Sequence, residues 1–292
     1  MISTLIVGCG YLGLRVAGQL LARGDRVMGT TRSKDRGEIL AQQGIEPVIA
    51  DVLDPSSLDG LPQADRVLYC VGFDRSAGVP IATVYVDGLR HALWRLVDRT
   101  NRLVYASSTG VFGGDDGGWV DEATPADPRT ESGWACLGGE RVIEEEEYAA
   151  DLNLAATILR FSGLYGPGRI VRRQAIERGE PIAGDPEKIL NLIHIDDAAG
   201  VSIAALDNVS ASRLYLVSDD RPVTRREYYG LVAECLSCPV PQFEPAKPGS
   251  PEAARDGSNK RVSNAKMHAE LGVTLAYPDI TTGVPAALGL KN

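Results

Sequence analysis

The opening stretch, MISTLIVGCGYLGLRVAGQLLARGDRVMGTTRS, restricts what this chain can fold into more than any other segment. An apolar β-branched run, Leu5-Ile6-Val7, meets Gly8-x-Gly10-x-x-Gly13. A helical pattern follows through Leu14, Val16, Ala17, Leu20 and Leu21, and a second apolar run, residues 26–31, ends in Arg32. Strand, tight turn, helix and strand make one βαβ unit, which predicts an α/β fold with a parallel sheet.

Each glycine has its own physical reason. Gly8 permits the sharp turn off the strand, Gly10 lets the backbone approach a pyrophosphate, and Gly13 lets helix and sheet pack closely. The phosphates would lie on free N–H groups at the positive end of the helix. The pattern therefore predicts a dinucleotide site; the plainer alternative is a glycine-rich turn that merely packs. An NAD-preferring site places an acid at the end of the second strand, whereas an arginine accommodates a 2′-phosphate. Here the chain reads Thr30-Thr31-Arg32-Ser33-Lys34, with no acid before Asp35. NADP(H) is the expected cofactor and NAD(H) the second choice, the alternative being a solvated basic loop.

At 292 residues the chain has room for a large core. Its 44% hydrophobic and 24% charged residues are ordinary for a globular protein. A formal charge of −9 argues against a nucleic-acid partner, which needs a basic face. No apolar run reaches the roughly 18 to 20 residues of a membrane span, and the N-terminus shows no secretion signal. The five cysteines, Cys9, Cys70, Cys136, Cys235 and Cys238, read as reduced thiols of a cytoplasmic protein. Cys235-x-x-Cys238 lacks the further ligands of a zinc site, and no metal is expected.

Further strands are predicted at 45–50, 65–72, 103–107, 155–161 and 214–218, and an amphipathic helix at 83–99. Tyr85 and Trp94 on that helix read as core or a subunit face. Asp51 ends the third strand, where its carboxylate either accepts from an adenine amine or caps the turn before Pro55; the two roles are compatible. Glu144 to Glu147 continue the helix that begins near Gly138, and consecutive carboxylates point to different faces, so they form no metal site. Helices are expected at 170–178, 224–236 (Thr224 as N-cap, Glu227 completing a capping box), 263–271 and 278–288, with a Pro/Gly/Ser-rich loop at 239–259. Arg172 and Arg173 either face an anionic substrate or lie on a solvated surface.

Several blocks then follow in a recognisable order: Ser107-Ser108-Thr109-Gly110-Val111-Phe112-Gly113, Asp121-Glu122-x-Thr124-Pro125-x-x-Pro128, Leu159-Arg160-Phe161-Ser162-Gly163-Leu164-Tyr165-Gly166-Pro167-Gly168-Arg169, Leu192-Ile193-His194-Ile195-Asp196-Asp197, and 259–266 before Leu271-Gly272. With the glycine-rich opening, they resemble the extended short-chain dehydrogenase/reductases, the group containing nucleotide-sugar epimerases and dehydratases. The resemblance spans nearly the whole chain. It implies a Rossmann-like, doubly wound parallel sheet of about seven strands with a smaller interleaved C-terminal substrate lobe. The nucleotide would be held by 1–162 with 192–218, and the substrate by 163–191 with 219–292. The implied cofactor contacts are Gly8, Gly10, Tyr11, Leu12, Gly13, Thr31, Arg32, Asp51, Val52, Val71, Gly72, Ser107, Phe161 and Leu164.

The chain departs from the family at one informative place. Such enzymes share a Tyr-x-x-x-Lys pair whose tyrosine exchanges a proton with the substrate and whose lysine lowers the phenol's pKa and holds the nicotinamide ribose. Counting from Pro128 and from Glu140 puts Ser132 in the tyrosine slot and Cys136 in the lysine slot. A serine has no phenol-like acidity and a cysteine supplies no positive charge. The chain thus resembles the family's atypical members. By the same resemblance Ser108 polarises the substrate oxygen and His194 is mostly structural, beside the cleft. Tyr165 is read either as a substitute acid or as part of a cofactor-lining turn, and His194 as a general base is the alternative to its structural role. The expectation is NADP(H)-dependent hydride transfer on a nucleotide sugar or a small carbonyl or hydroxy compound; the alternative is a non-catalytic NADP(H) sensor. Family members often pair through helices at 83–99 and 138–150, so a homodimer is a further expectation, tempered by the acidic run on the second helix.

Overall fold

A computed structural model describes residues 1–149, 154–250, 253 and 256–290. Ala150, expected to close the helix after the acidic run, and part of the expected loop 239–259 lie outside the described residues. Seven strands form the central sheet: β1 (Ser3–Val7), β2 (Arg26–Thr31), β3 (Glu46–Ile49), β4 (Arg66–Tyr69), β5 (Arg102–Ser108), β6 (Ala155–Phe161) and β7 (Leu214–Val217). Their spatial order is β7-β6-β5-β4-β1-β2-β3, and every pairing is parallel.

A parallel sheet covered on both faces needs apolar residues pointing both ways, which is why these strands read as continuous hydrophobic runs. Ile6, Leu68, Val104 and Leu159 face one layer. Leu5, Val67, Leu103 and Ile158 face the other. The first layer is closed by α1 (Tyr11–Ala22), which buries Leu12, Val16 and Leu20, and by Val201 and Ala205, further along the chain. The second is closed by α3 (Gly88–Leu96) through Leu89, Leu93 and Leu96, and by α4 (Glu131–Ala149) through Val142 and Ile143. α2 (Lys34–Gln42) lies beside β3, the exposed edge strand, where Pro47 is tolerated because no further strand needs its missing N–H.

Two predicted helices differ in form. Residues 83–99 open as a π-helical turn, Thr83–Asp87, before α3 begins. Residues 170–178 yield only α5 (Arg173–Glu177), because Arg172 adopts a left-handed conformation with φ 61° and a helix cannot run through it. Beyond it, α6 (Ile195–Asp207), α7 (Arg225–Cys235), α8 (Ala265–Leu271) and α9 (Ile280–Ala287) complete the chain. Thr224 caps α7 in the expected reciprocal box with Glu227. A separate apolar cluster joins Tyr165, Ile176, Ile182, Tyr228, Val232, Ile280 and Val284, and the half-buried Cys235 and Cys238 pack against it. Among the described residues, no helix is long and apolar enough to cross a membrane.

Candidate functional site

The order of the strands reverses between β1 and β4, and in open α/β sheets that reversal leaves a crevice at the carboxyl ends of the two strands. The glycine turn occupies it. Gly8 has φ 93°, and a Cβ there would sit 2.6 Å from the Val71 backbone. A Cβ on Gly13 would lie 2.8 Å from the Gly8 carbonyl and 2.9 Å from Ile6 Cγ2. A Cβ on Gly10 would meet nothing within 4 Å, since this position faces open space. No side chain caps the first turn of α1 and no acid stands in it, so its N–H groups are available to an anion.

Beside this turn lies a cavity of about 400 Å³. Gly8, Gly10, Thr31, Arg32, Asp51, Val52, Val71 and Gly72 all line it, as the sequence predicts, together with Phe73, Asp74 and Val84. Asp51 Oδ1 accepts from the Leu53 N–H at 2.9 Å, the bond of a turn acid, while the helical turn that begins at Pro55 is capped by Asp54, which accepts from the Ser56 N–H at 3.1 Å. Arg32 Nη2 is 3.1 Å from Asp74 Oδ2 across the mouth. The residues present fit a dinucleotide: a turn whose Gly10 leaves open space before the helix, a helix start without a cap, and a pocket ending in a guanidinium.

Other expected contacts turn elsewhere. The Leu12 and Phe161 side chains are buried in the core beneath the sheet, with Leu164 packed against the same cluster. Ser107 is buried too, its hydroxyl donating to Glu140, so at Leu12, Ser107 and Phe161 only backbone can reach a ligand. Tyr11 bridges the two halves of the chain: its hydroxyl donates to the Pro167 carbonyl at 3.2 Å, and the Arg169 guanidinium lies 5.4 Å from its ring centroid.

At the end of β5, Ser108 is half-buried and its Oγ accepts from the Gly110 N–H at 3.0 Å, leaving the hydroxyl proton free to donate. Ser132 is exposed at the start of α4, 3.2 Å from the Thr130 hydroxyl. Cys136 is buried one turn further on, and burial pushes its thiol up to about 12. It therefore stays neutral. Nowhere does the sequence contain a tyrosine followed four residues later by a lysine.

The structure buries both Tyr165 and His194, the substitutes considered above. The Tyr165 side chain is fully buried among the C-terminal cluster, its hydroxyl against Gly283 of α9 rather than in the crevice. His194 is 1% exposed, wedged between the rings of Tyr165 and Tyr277 at centroid distances of 5.3 and 4.0 Å. Its Nδ1 accepts from the Asp196 N–H at 3.3 Å, so the histidine, and neither aspartate, caps α6. Burial pushes its pKa down, which keeps the ring neutral. Asp197 instead accepts from the Ala276 and Tyr277 N–H groups, at 2.7 and 2.9 Å, tying the C-terminal segment to α6.

The sequence left Lys260, Arg169 and Arg178 without a role of their own. Lys260 donates to the Phe112 carbonyl at 2.8 Å and the Ser258 hydroxyl at 2.9 Å, and burial pushes its amine down to about 8. Arg169, Arg172, Arg173 and Arg178 line an open cleft of about 670 Å³ together with Glu177 and Glu180. These contacts join segments more than a hundred residues apart in some cases, beyond the reach of spacing rules.

The same fold occurs in known proteins. A family model described as NAD dependent epimerase/dehydratase family matches residues 4–217. Protein YeeZ of Escherichia coli (strain K12) is 31% identical over 96% of this chain and 97% of its own length. The 3-diazoavenalumate denitrifying reductase of a Streptomyces species is 28% identical over 83% of this chain and 84% of its own. The structure of a functionally unknown conserved protein from Silicibacter pomeroyi DSS superposes with a TM-score of 0.77 at 30% identity, covering 99% of both chains. By the family match and the near full-length relatives, this chain belongs to the NAD-dependent epimerase/dehydratase family and is an NAD(P)-dependent, oxidoreductase/epimerase-like short-chain dehydrogenase/reductase.

Proposed function

We propose that the chain carries out NADP(H)-dependent hydride transfer on a nucleotide sugar or a small carbonyl or hydroxy compound. The observation that carries this reading is Arg32, placed at the mouth of the dinucleotide cavity where β2 ends without an acid. When bound, the nicotinamide cofactor supplies or accepts a hydride. The chain's own residues do the rest. The first turn of α1 receives the pyrophosphate, Asp51 the adenine amine, and Arg32 the 2′-phosphate. Ser108 donates its hydroxyl proton as a hydrogen bond to the substrate oxygen and so orients it. Residues 1–162 with 192–218 hold the nucleotide and 163–191 with 219–292 the substrate.

The arginine-lined cleft supports an anionic substrate, to which the diphosphate of a nucleotide sugar is well matched. A homodimer through α3 and α4 is the proposed assembly, and Trp94 of α3, 66% exposed, is suited to such a face. The test is NADPH oxidation against a panel of sugar nucleotides and small carbonyls, with Ser108→Ala as control. Turnover that falls by about 10²-fold or more in the variant supports the reading. Tight NADPH binding with no turnover across the panel would favour a sensor instead.

A further inference from the structure

Resting on the NADP(H) reading above, we propose that Asp74 is an internal stand-in for the 2′-phosphate. Its carboxylate occupies the Arg32 guanidinium, has to be displaced when NADP(H) enters, and so sets how strongly the site prefers the phosphorylated dinucleotide. Both residues line the dinucleotide cavity. Arg32 follows β2 and Asp74 follows β4, the two strands that flank β1, so their pairing spans the pocket beside the glycine turn.

The two oxygens of Asp74 have separate tasks. Oδ1 accepts from the Ser76 N–H at 2.9 Å and from the Ser76 hydroxyl at 2.6 Å, which fixes the carboxylate on the short helical turn Arg75–Ala77. Oδ2 is left for Arg32 Nη2, at 3.1 Å. Among the described residues, Asp74 is the one acid paired with Arg32. An aspartate is ionised at neutral pH, so the guanidinium already has an anion before any cofactor arrives.

The pair is weak enough to be displaced. Its single contact of 3.1 Å is longer than the about 2.7–2.9 Å of a tight charge-assisted bond. Both side chains are exposed to solvent, where an ion pair contributes little. A phosphate offers the guanidinium two parallel hydrogen bonds and more negative charge than a carboxylate. It therefore outcompetes Asp74, but only after breaking the pair and against a negative neighbour that the Ser76 bonds keep from retreating. NADH carries a neutral hydroxyl at the same ribose position and leaves the pair intact. The cost falls on the phosphorylated cofactor alone.

Asp74→Asn separates this role from the fold, because the amide keeps a carbonyl oxygen for the Ser76 turn while losing the charge. By calorimetry at low ionic strength, the variant should bind NADPH at least about threefold more tightly than the wild-type chain, and NADH within about twofold of it. The gain should need the guanidinium: adding Asp74→Asn to Arg32→Ala should change NADPH affinity by less than about twofold.

An unchanged NADPH affinity in Asp74→Asn overturns the assignment, as does a matching gain for NADH. An equal NADPH gain with and without Arg32 marks plain charge repulsion and overturns it too. Weaker NADH binding in Asp74→Asn makes the carboxylate an acceptor for the ribose 2′-hydroxyl instead. Each of these results leaves the NADP(H) reading standing, provided the wild-type chain prefers NADPH to NADH. Absence of that preference in the wild type sinks the reading of Arg32 and this assignment with it.

Discussion

Glu140 of α4 and Arg160 of β6 face each other as a bidentate ion pair, Nε to Oε1 at 3.0 Å and Nη2 to Oε2 at 2.7 Å, with both side chains at least 92% buried. Ser107 donates to the same carboxylate, and the Arg160 guanidinium lies 4.9 Å from the centroid of the Phe112 ring. The pair thus fixes the end of β5, where Ser108 stands, against α4. Removing one partner strands a buried charge. Glu140→Ala should cost about 3–5 kcal/mol in urea unfolding, and pairing it with Arg160→Met should recover part of that loss.

Tyr165 has a buried hydroxyl without a hydrogen-bond partner among the described residues. Deleting it removes no contact that the fold relies on. Tyr165→Phe should leave the melting temperature unchanged or higher, since an unmade buried hydrogen bond costs about 1–3 kcal/mol. NADPH oxidation should continue at the wild-type rate. A hundredfold fall in turnover would instead restore the tyrosine as the acid.

Asp219 gives a pH signature to stability. It is 1% exposed, and burial, followed by the negative charges of Asp220 and Asp279, raises its pKa to about 8 despite the Arg221 N–H that it accepts. The folded chain therefore holds a proton that the unfolded chain releases near pH 4. Stability falls as pH climbs from there towards 8, then levels off. Asp219→Asn should remove this slope, raising stability at pH 8 by at least about 1.4 kcal/mol relative to wild type, with little difference at pH 4. Thermal melts of both proteins at the two pH values check it.

The seven strands and the glycine turn were legible because both are local: an apolar run announces a buried parallel strand, and the spacing from Gly8 to Gly13 announces a tight turn between strand and helix. The positions of Arg32 and Asp51 in the cavity wall could be read for the same reason, each following a strand of known order. The reacting end was harder. Nothing in the sequence near Tyr165 says that its ring turns towards α9, and His194 looks like a base until its ring is seen buried between two tyrosines. Asp74 was silent for a like reason, since its pairing with Arg32 spans 42 residues.

That last pairing bears on the cofactor. Asp74 also accepts from the backbone and side chain of Ser76, at 2.9 and 2.6 Å, so it is held in place while Arg32 is 58% exposed and able to swing towards a 2′-phosphate. The most direct measurement is calorimetric binding of NADPH and NADH to the wild-type chain and to Arg32→Ala. NADPH should bind at least about tenfold more tightly than NADH, as expected for one charge-assisted phosphate contact, and Arg32→Ala should erase the difference. Equal affinities in the wild type, or tighter binding of NADH, would contradict the reading of Arg32 as the phosphate-binding residue.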